Sequence, residues 1–345
     1  MANNKFKFDV IIGNPPYQEE ISGDNHQAKP IYHLFMDSAY KIGNIVEFIT
    51  PARFLSLSGA TPKKWDKKIL NSSRIKIDYF NADSTKVFNN VDIKGGVVVT
   101  HYDVSAKYSP IGIFIPDIKL RNIYLKVAKQ TKEKISDHVY SPDSYRFTDK
   151  MFEEYPQLIG RTDKSHAKAL ASSVFTRYPE IFMDKKVDDS VTIIGRLNNQ
   201  RTSLYIKRRY LKDPGSLETY KLLIPGASGK GAYGEQLAKP IIAGPGEAHT
   251  QTFMCIGDLL SQFEVESLLR YVKSKFLRSL LGIMKTTQNN QARRTWSLIP
   301  WQNFSDNSDI DWSKSIHEID LQLYKKYGLN KQEIEFIETH VKEMN

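Results

Sequence analysis

A short apolar strand that runs directly into a proline pair is the feature that most constrains this chain. The run Phe8–Gly13 is too short for a helix and rich in β-branched residues, so it predicts a buried strand. Asn14, Pro15, Pro16 and Tyr17 follow at once. Because proline has no N–H and pushes its predecessor out of the helical region, the chain must leave the sheet at Asn14 in a stiff loop. That loop displays an amide, two fixed carbonyls and an aromatic ring at a strand's carboxyl end, where ligands bind in open α/β sheets.

Apolar strands and amphipathic helices alternate after this loop. The apolar side chains of residues 31–42 recur at helical spacing, which predicts a helix whose apolar face packs on a sheet. Further strands are predicted at Val46–Ile49, Ile75–Phe80 and Gly95–Tyr102, and a second helix over residues 63–72. The predicted sheet-facing residues of the first helix are Ile31, Leu34, Phe35, Ala39 and Ile42. This alternation indicates an α/β fold with a mostly parallel sheet and covering helices.

The composition indicates a globular protein that suits a polyanionic partner. The 345 residues are 40% hydrophobic, with a formal net charge of +10 and a pI of about 9.3, although an ordinary lysine-rich composition gives the same excess. No apolar stretch approaches the roughly 18–20 residues of a membrane span, and the N-terminus has no signal-peptide core. The single cysteine, Cys255, and the spacing of the histidines predict no metal site. We therefore expect a soluble, cytoplasmic protein.

The pattern divides the chain into four expected segments. Residues 1–105 contain the strand and proline motif, residues 106–150 are expected to form a helical linker, residues 151–300 a second α+β domain, and residues 301–345 a helical tail. Within the second domain, the apolar stripe of Val265–Met284 predicts one long helix.

A basic stretch in the second domain is the main candidate for nucleic-acid contact. Asn198 and Asn199 are interleaved with its cations, which suits contact with phosphates and base edges, whereas a solvated strand face is the alternative. A polar loop after Met284 is a second candidate, with a plain loop as its alternative. A glycine cluster at 226–234 does not fit the phosphate-loop pattern and predicts a mobile loop. The predicted contact residues are Arg196, Arg201, Lys207, Arg208, Arg209, Lys212, Arg293 and Arg294.

Residues 8–17 resemble motif IV of the amino-methyltransferases that act on adenine N6 in DNA. The resemblance extends to the large, Type IIG-like enzymes of bacterial restriction–modification systems and covers most of the chain, with residues 105–240 the weakest part. The stretches that carry it are Tyr32–Phe35, Val46–Pro51, Lys86–Phe88, Ile93–Val99, Asp311–Ser315 and Tyr327–Leu329. The resemblance implies part of a Rossmann-like methyltransferase sheet followed by a target-recognition domain. It also implies S-adenosylmethionine as methyl donor and double-stranded DNA as partner.

The chemistry of adenine methylation gives the motif residues specific roles. Adenine N6 is a poor nucleophile because its lone pair is delocalised, so an enzyme needs two acceptors aimed at its two N–H groups. The side-chain oxygen of Asn14 and the carbonyl of Pro15 suit this task, and Pro16 helps to keep the loop rigid. A flipped base is held by aromatic stacking, for which Tyr17 offers one face. The resemblance assigns the other face to Phe88, for which a core position is the alternative.

The methyl-donor side of the site has no clear counterpart in the sequence. In the family, a glycine-rich turn and an acidic residue on the first half of the sheet bind S-adenosylmethionine, but only seven residues precede the strand that begins at Phe8. In this sequence, the residues expected nearest to the cofactor are Asp9 and Asn14, which would lie only at the edge of the cofactor-binding half. We therefore expect an open sheet edge at Val10–Ile12 that is covered either by a partner polypeptide carrying the cofactor-binding half or by a rearranged sheet. The alternative is a catalytically inactive DNA-binding specificity subunit or a truncated fragment.

Overall fold

The computed structural model describes residues 7–19, 28–56, 60–89, 92–163, 166–285 and 287–344. The chain forms two compact units, Met1–Pro116 (unit 1) and Asp117–Asn345 (unit 2). The segment expected as a linker, residues 106–150, is therefore divided between the two units. None of the described helices is long and apolar enough to cross a membrane.

Unit 1 is built on a four-stranded sheet with the order β1-β2-β4-β3. Its strands are β1 (Phe8–Gly13), β2 (Gly43–Pro51), β3 (Ile75–Asn81) and β4 (Val97–Asp103). Only β1 and β2 pair in parallel, since β4 runs antiparallel to both β2 and β3. The prediction of a mostly parallel sheet is therefore wrong, because two of the three strand pairs in this sheet are antiparallel. The described residues between β3 and β4 contain no crossover α-helix, which a parallel pair of consecutive strands needs.

Helices α1 (Tyr32–Ile42) and α2 (Lys63–Leu70) supply the buried side chains that cover one face of this sheet. The predicted sheet-facing side of α1 is wrong for Leu34, Phe35 and Ile42, which are exposed. It is right for Ala39, which is buried together with Tyr32, His33 and Met36. The cause is an aromatic cluster formed with distant parts of the chain. The ring of Tyr32 lies 6.4 Å from that of Phe54 and 6.3 Å from that of Trp65, which fixes the rotation of the helix.

Strand β1 lies at the edge of the sheet and is not the buried strand that its composition predicts. The exposed fractions of its alternate side chains Phe8, Val10 and Ile12 are 47%, 51% and 76%. These side chains share a face because alternate residues of a strand point the same way. Among the described residues β1 pairs only with β2, so the expected open edge at Val10–Ile12 is present.

Unit 2 contains both helices and β-sheets. One sheet has the order β11-β10-β13-β5, a second the order β12-β7-β8, and β6 pairs with β9. The strands are β5 (Val139–Tyr140), β6 (Arg146–Phe147), β7 (Ser190–Leu197), β8 (Gln200–Lys207), β9 (Leu211–Lys212), β10 (Tyr220–Pro225), β11 (Ile241–Ala243), β12 (Glu247–His249) and β13 (Phe253–Leu259). The helices are α3 (Ile118–Gln130), α4 (Asp149–Glu154), α5 (Val174–Arg177), α6 (Gln262–Lys273), α7 (Lys275–Met284), α8 (Ile316–Lys326) and α9 (Lys331–His340).

The single helix predicted at Val265–Met284 is wrong, because the chain breaks at Ser274 into α6 and α7. Ser274 is extended and caps α7 through its hydroxyl, which accepts a hydrogen bond from the N–H of Leu277 at 3.1 Å. The carboxylate of Asp320 accepts hydrogen bonds from the first two N–H groups of α7, those of Lys275 and Phe276. The start of α7 is therefore stabilised by a residue of α8, a contact that sequence periodicity does not contain.

The turn before β4 gives a direct test of backbone packing in unit 1. Gly96 has φ +77°, and a Cβ added there would lie 2.1 Å from the Asn81 carbonyl oxygen, whereas Gly112 has φ +59° and open space. In Gly112→Ala, the left-handed conformation alone should cost about 1–2 kcal/mol. We expect Gly96→Ala to lose about 3 kcal/mol or more of unfolding free energy in a denaturant titration. Equal losses in the two variants would contradict the close packing of Gly96.

Candidate functional site

The parallel pairing of β1 and β2 brings two chain segments to one edge of the sheet. Gly13 at the end of β1 pairs with Phe48, so the loop after β1 and the turn that follows Pro51 leave the sheet at the same edge. The loop is fixed on its other side as well. The N–H of Ile31 donates to the Tyr17 carbonyl at 3.1 Å. The motif is therefore held between β1 and the start of α1.

The four motif residues differ in their exposure. Asn14 and Pro16 are exposed, Pro15 is buried, and Tyr17 is half-buried with its ring against the core of unit 1. Burial raises the pKa of Tyr17, and the neighbouring Asn14 side chain opposes that rise. The Tyr17 hydroxyl is shielded from solvent but completes no well-formed hydrogen bond within the described residues. The loop thus presents an exposed amide beside a half-buried aromatic ring.

Tyr17 forms part of the wall of a cavity of about 530 Å³. Its volume lies within the roughly 300–1,000 Å³ typical of small-molecule sites. The described residues of its wall are Tyr17, Gln18, Ala28, Pro30, Tyr32, Pro51, Arg53, Ala60, Asp92, Ile93 and Lys94. Two aromatic rings and two prolines therefore share the wall with the cations of Arg53 and Lys94 and the carboxylate of Asp92. Such a lining suits a planar ring that also carries polar groups.

Arg53 and Lys94 are functional candidates outside the residues predicted for the site, although the position of Arg53 after Thr50-Pro51 is compatible with phosphate contact. Arg53 stands directly after β2, and its side chain packs on the turn before β4, since a Cβ on Gly95 would lie 2.9 Å from its Cγ. Lys94 lies in that same turn. The sequence feature that could have pointed to Arg53 is Thr50-Pro51, which ends the strand parallel to β1. Parallel neighbours end at the same edge of a sheet, so residues after both strands should meet.

Phe88 and Asp9 lie away from this cavity wall. Phe88 is half-buried beyond the turn at Ser84–Lys86, where its N–H donates to the Ser84 carbonyl, and it is not among the described lining residues. Asp9 is exposed near the start of β1, at the opposite end of the strand from Asn14. The stacking role of Phe88 and any cofactor contact of Asp9 remain predictions.

Three strands of unit 1 bring together potential metal ligands that sequence spacing does not reveal. His101 Nδ1 lies 2.8 Å from Glu47 Oε1 and 3.6 Å from Asp78 Oδ2. Lys76 Nζ lies 2.9 Å from Asp78 Oδ1. With that ammonium present, an ion-pair network accounts for the cluster without a metal. The absence of a metal site remains a prediction.

The basic stretch of unit 2 does not form one patch. Arg196 and Arg201 lie directly opposite each other at the exposed end of the β7–β8 hairpin. Arg208 and Arg209 follow the other end of β8, about 23 Å away at roughly 3.3 Å per residue. Arg209 lies 2.6 Å from Glu154, and it holds the pKa of that carboxyl at about 2 together with Tyr210.

The remaining cations of the prediction also differ in their surroundings. Arg208 donates to the Leu211 carbonyl at 3.0 Å, Lys207 is half-buried, and Lys212 is exposed. Arg293 donates through Nε to the Ser136 carbonyl and keeps an exposed side chain. The nearby Arg294 is exposed as well, as expected for a contact loop or a plain loop. The other predicted cations are thus spread among several elements, and the hairpin end is where two of them directly oppose each other.

The glycine cluster at 226–234 is hydrogen-bonded to the polar loop that follows α7, and the mobility expected for it stays a prediction. Ser228 N–H donates to the Gln288 carbonyl at 2.8 Å. The buried Lys285 lies 2.5 Å from Glu235, which also accepts from the N–H groups of Lys230 and Gly231. Two backbone N–H groups of this loop are therefore satisfied by a carboxylate of the chain itself.

Burial alone would raise the pKa of Glu235, but Lys285 and the two N–H groups outweigh it and hold that pKa at about 2. Because the folded pKa lies below the ordinary value of about 4.5, the stabilisation is present above pH 4.5 and is lost as the pH falls toward 2. We expect stability of the native chain to fall over this window by up to about 3 kcal/mol more than that of Glu235→Gln. Parallel acid-denaturation curves of the two proteins would contradict the assigned ion pair.

Residues 1–88 match the family model of the Eco57I restriction-modification methylases. This match confirms the resemblance read from the strand and proline motif, and it falls within unit 1. No curated protein matches the sequence significantly.

Two solved structures of restriction–modification enzymes resemble the chain over most of its length. The type IIG restriction endonuclease BpuSI is 11% identical, with a TM-score of 0.35, and the match covers 98% of this chain and 53% of that protein. The Type IIL restriction-modification enzyme MmeI, solved in complex with DNA, is 11% identical, with a TM-score of 0.33 and coverages of 96% and 56%. The chain thus spans about half the length of these proteins.

Proposed function

We propose that this chain supplies the substrate side of a DNA adenine-N6 methyltransferase in a restriction–modification system. The observation that carries the proposal is that Tyr17, at the end of the Asn14–Tyr17 motif, forms part of the wall of a cavity lined by aromatic rings, prolines and charged side chains. The match of residues 1–88 to restriction-modification methylases supports methyl transfer as the chemistry. The target would be an adenine rotated out of duplex DNA, because its N6 cannot reach the loop from within the stack.

The proposed chemistry uses residues that the structure places at one sheet edge. The exposed Asn14 amide oxygen and the Pro15 carbonyl accept hydrogen bonds from the two N–H groups of adenine N6. Tyr17 supplies a fixed ring against which the base packs, since its position is set by the core of unit 1. Arg53 and Lys94 neutralise the phosphates beside the rotated nucleotide.

The methyl donor in this proposal is S-adenosylmethionine, which supplies the methyl group when bound. The described residues beside β1 contain no glycine-rich turn between a strand and a helix, so they fit only the substrate side of the reaction. The unpaired edge of β1 and its exposed Phe8, Val10 and Ile12 support a partner polypeptide that carries the donor site. Such a partner would stand next to Asn14, where the methyl group is needed.

The second candidate function is a DNA-binding specificity subunit without catalysis. It is favoured by the same one-sided site and by the exposed arginines of unit 2. Equilibrium dialysis of labelled S-adenosylmethionine with the full chain shows whether the chain carries the methyl-donor pocket as well as the substrate side of the site. We expect no stoichiometric binding by the chain by itself. Stoichiometric binding would instead place the donor pocket on this chain and exclude the specificity-subunit function.

Asn14→Ala is expected to remove methylation and to keep DNA binding. The chain is expressed with the polypeptide encoded beside it in a methylation-deficient bacterial host, and N6-methyladenine is measured by mass spectrometry of digested DNA. Loss of one preorganised polar group at a reacting centre costs roughly 100- to 1,000-fold in rate. Binding to duplex DNA, measured by fluorescence anisotropy, should change less than about twofold because phosphate contacts dominate affinity.

Asn71→Ala is the matched control, since it makes the same truncation at an exposed position after α2. It should leave both methylation and DNA binding unchanged. Equal loss of methylation and binding in Asn14→Ala would assign Asn14 to DNA binding or to folding. Unchanged methylation in that variant would refute the proposed acceptor role.

A further inference from the structure

The exposed end of the β7–β8 hairpin carries two arginines that face each other. Arg196 and Arg201 are cross-strand partners, so their Cβ atoms stand about 4.5–5.5 Å apart on one face. Like charges in this arrangement are destabilising. Neither guanidinium forms an ion pair with a carboxylate within the described residues. The fold therefore maintains a local concentration of positive charge that nothing in the described part of the chain neutralises.

Hydrogen bonds hold both guanidinium groups in place but use only some of their N–H donors. Arg196 donates through Nη2 to the Asn199 carbonyl at 2.8 Å, and Arg201 donates through Nη2 to the Lys239 carbonyl at 2.6 Å. Because a guanidinium carries five N–H donors, each arginine keeps others for an external anion. The two side chains are thus positioned rather than free to swing.

The turn between the two arginines is built from asparagines in an unusual conformation. Asn198 has φ +49° and Asn199 has φ +63°, which together form the two-residue turn of a tight hairpin. Glycine at the second position is the favoured choice for this turn, since a side chain there adds strain. The chain instead places two amide groups at the exposed tip. Turn geometry alone does not require the amide of Asn199.

The base of the hairpin is rigid where the tip is exposed. Val191, Ile193 and Ile206 are buried in the core of unit 2. Gly195 lies so close to Phe175 that an added Cβ would approach its Cε2 to 2.7 Å. A fixed base with a polar tip is the arrangement that positions recognition groups most accurately.

From these observations we propose that the hairpin tip enters a groove of duplex DNA, where Asn198 and Asn199 contact base edges and Arg196 and Arg201 contact the flanking phosphates. The major groove of B-form DNA admits a two-stranded β-ribbon, and asparagine pairs with adenine through two hydrogen bonds. Double-stranded RNA is disfavoured because its major groove is too narrow for such a ribbon. The inference rests on the proposed function only for the identity of the polyanion as DNA.

The first test is Asn199→Gly in the full chain, measured on a randomised duplex DNA library by selection and sequencing. Glycine suits the turn, so thermal stability should be equal or higher. Discrimination should fall by about tenfold at one or two adjacent positions of the selected sequence, while preferences elsewhere persist. Higher stability combined with lost base preference cannot arise from misfolding.

The second test is Arg201→Gln on the selected duplex, with binding measured as a function of salt. Loss of one phosphate contact should weaken binding similarly for all sequences and reduce the slope of log K against log salt by about one. Lys325→Gln is the control, since it makes the same charge change at an exposed position of α8. Its slope should equal that of the native chain.

These outcomes separate failure of the hairpin assignment from failure of the proposed function. Normal DNA binding with unchanged base preference in Asn199→Gly and an unchanged slope in Arg201→Gln would overturn the hairpin assignment alone. Absence of salt-dependent DNA binding by the native chain would overturn the proposed function as well. Preference for double-stranded RNA over the duplex DNA pool would overturn the choice of partner.

Discussion

The parallel pairing of β1 with β2 is the constraint on which the candidate site depends. It sends the proline loop after Gly13 and the turn after Pro51 out of the same edge of the sheet. Tyr17 comes from the first of these segments and Arg53 from the second, and both line the same cavity. Within the described residues, no strand pairs with the other side of β1. The proposed substrate site and the proposed partner surface thus both follow from the position of β1 beside β2.

The parts of the fold that could be predicted from sequence are those fixed by local chemistry. Two successive prolines after an apolar strand force an exit from the sheet at Asn14 wherever the rest of the chain lies. The family match confirms the resemblance carried by that motif. The tight turn between β7 and β8 needs a left-handed backbone, which Asn198 and Asn199 tolerate.

The parts that could not be predicted depend on contacts between distant residues. The rotation of α1 is set by Tyr32 packing on Trp65, and the break at Ser274 is supported by Asp320, a residue of another helix. The single basic stretch becomes two groups because β8 separates Arg201 from Arg208 by its own length. Sequence spacing records the number of residues between two cations but not whether a strand or a turn connects them.

A photo-cross-link from the target base shows most directly which part of the chain holds the rotated adenine. A random-sequence duplex pool carries 8-azidoadenine opposite a mismatched base, which lowers the cost of extrusion. After irradiation with the full chain, mass spectrometry identifies the modified peptides. The account predicts cross-links in unit 1 on the peptides that contain Tyr17 or Tyr32, at the wall of the cavity. Cross-links confined to unit 2 would contradict the assignment of this cavity to the rotated adenine.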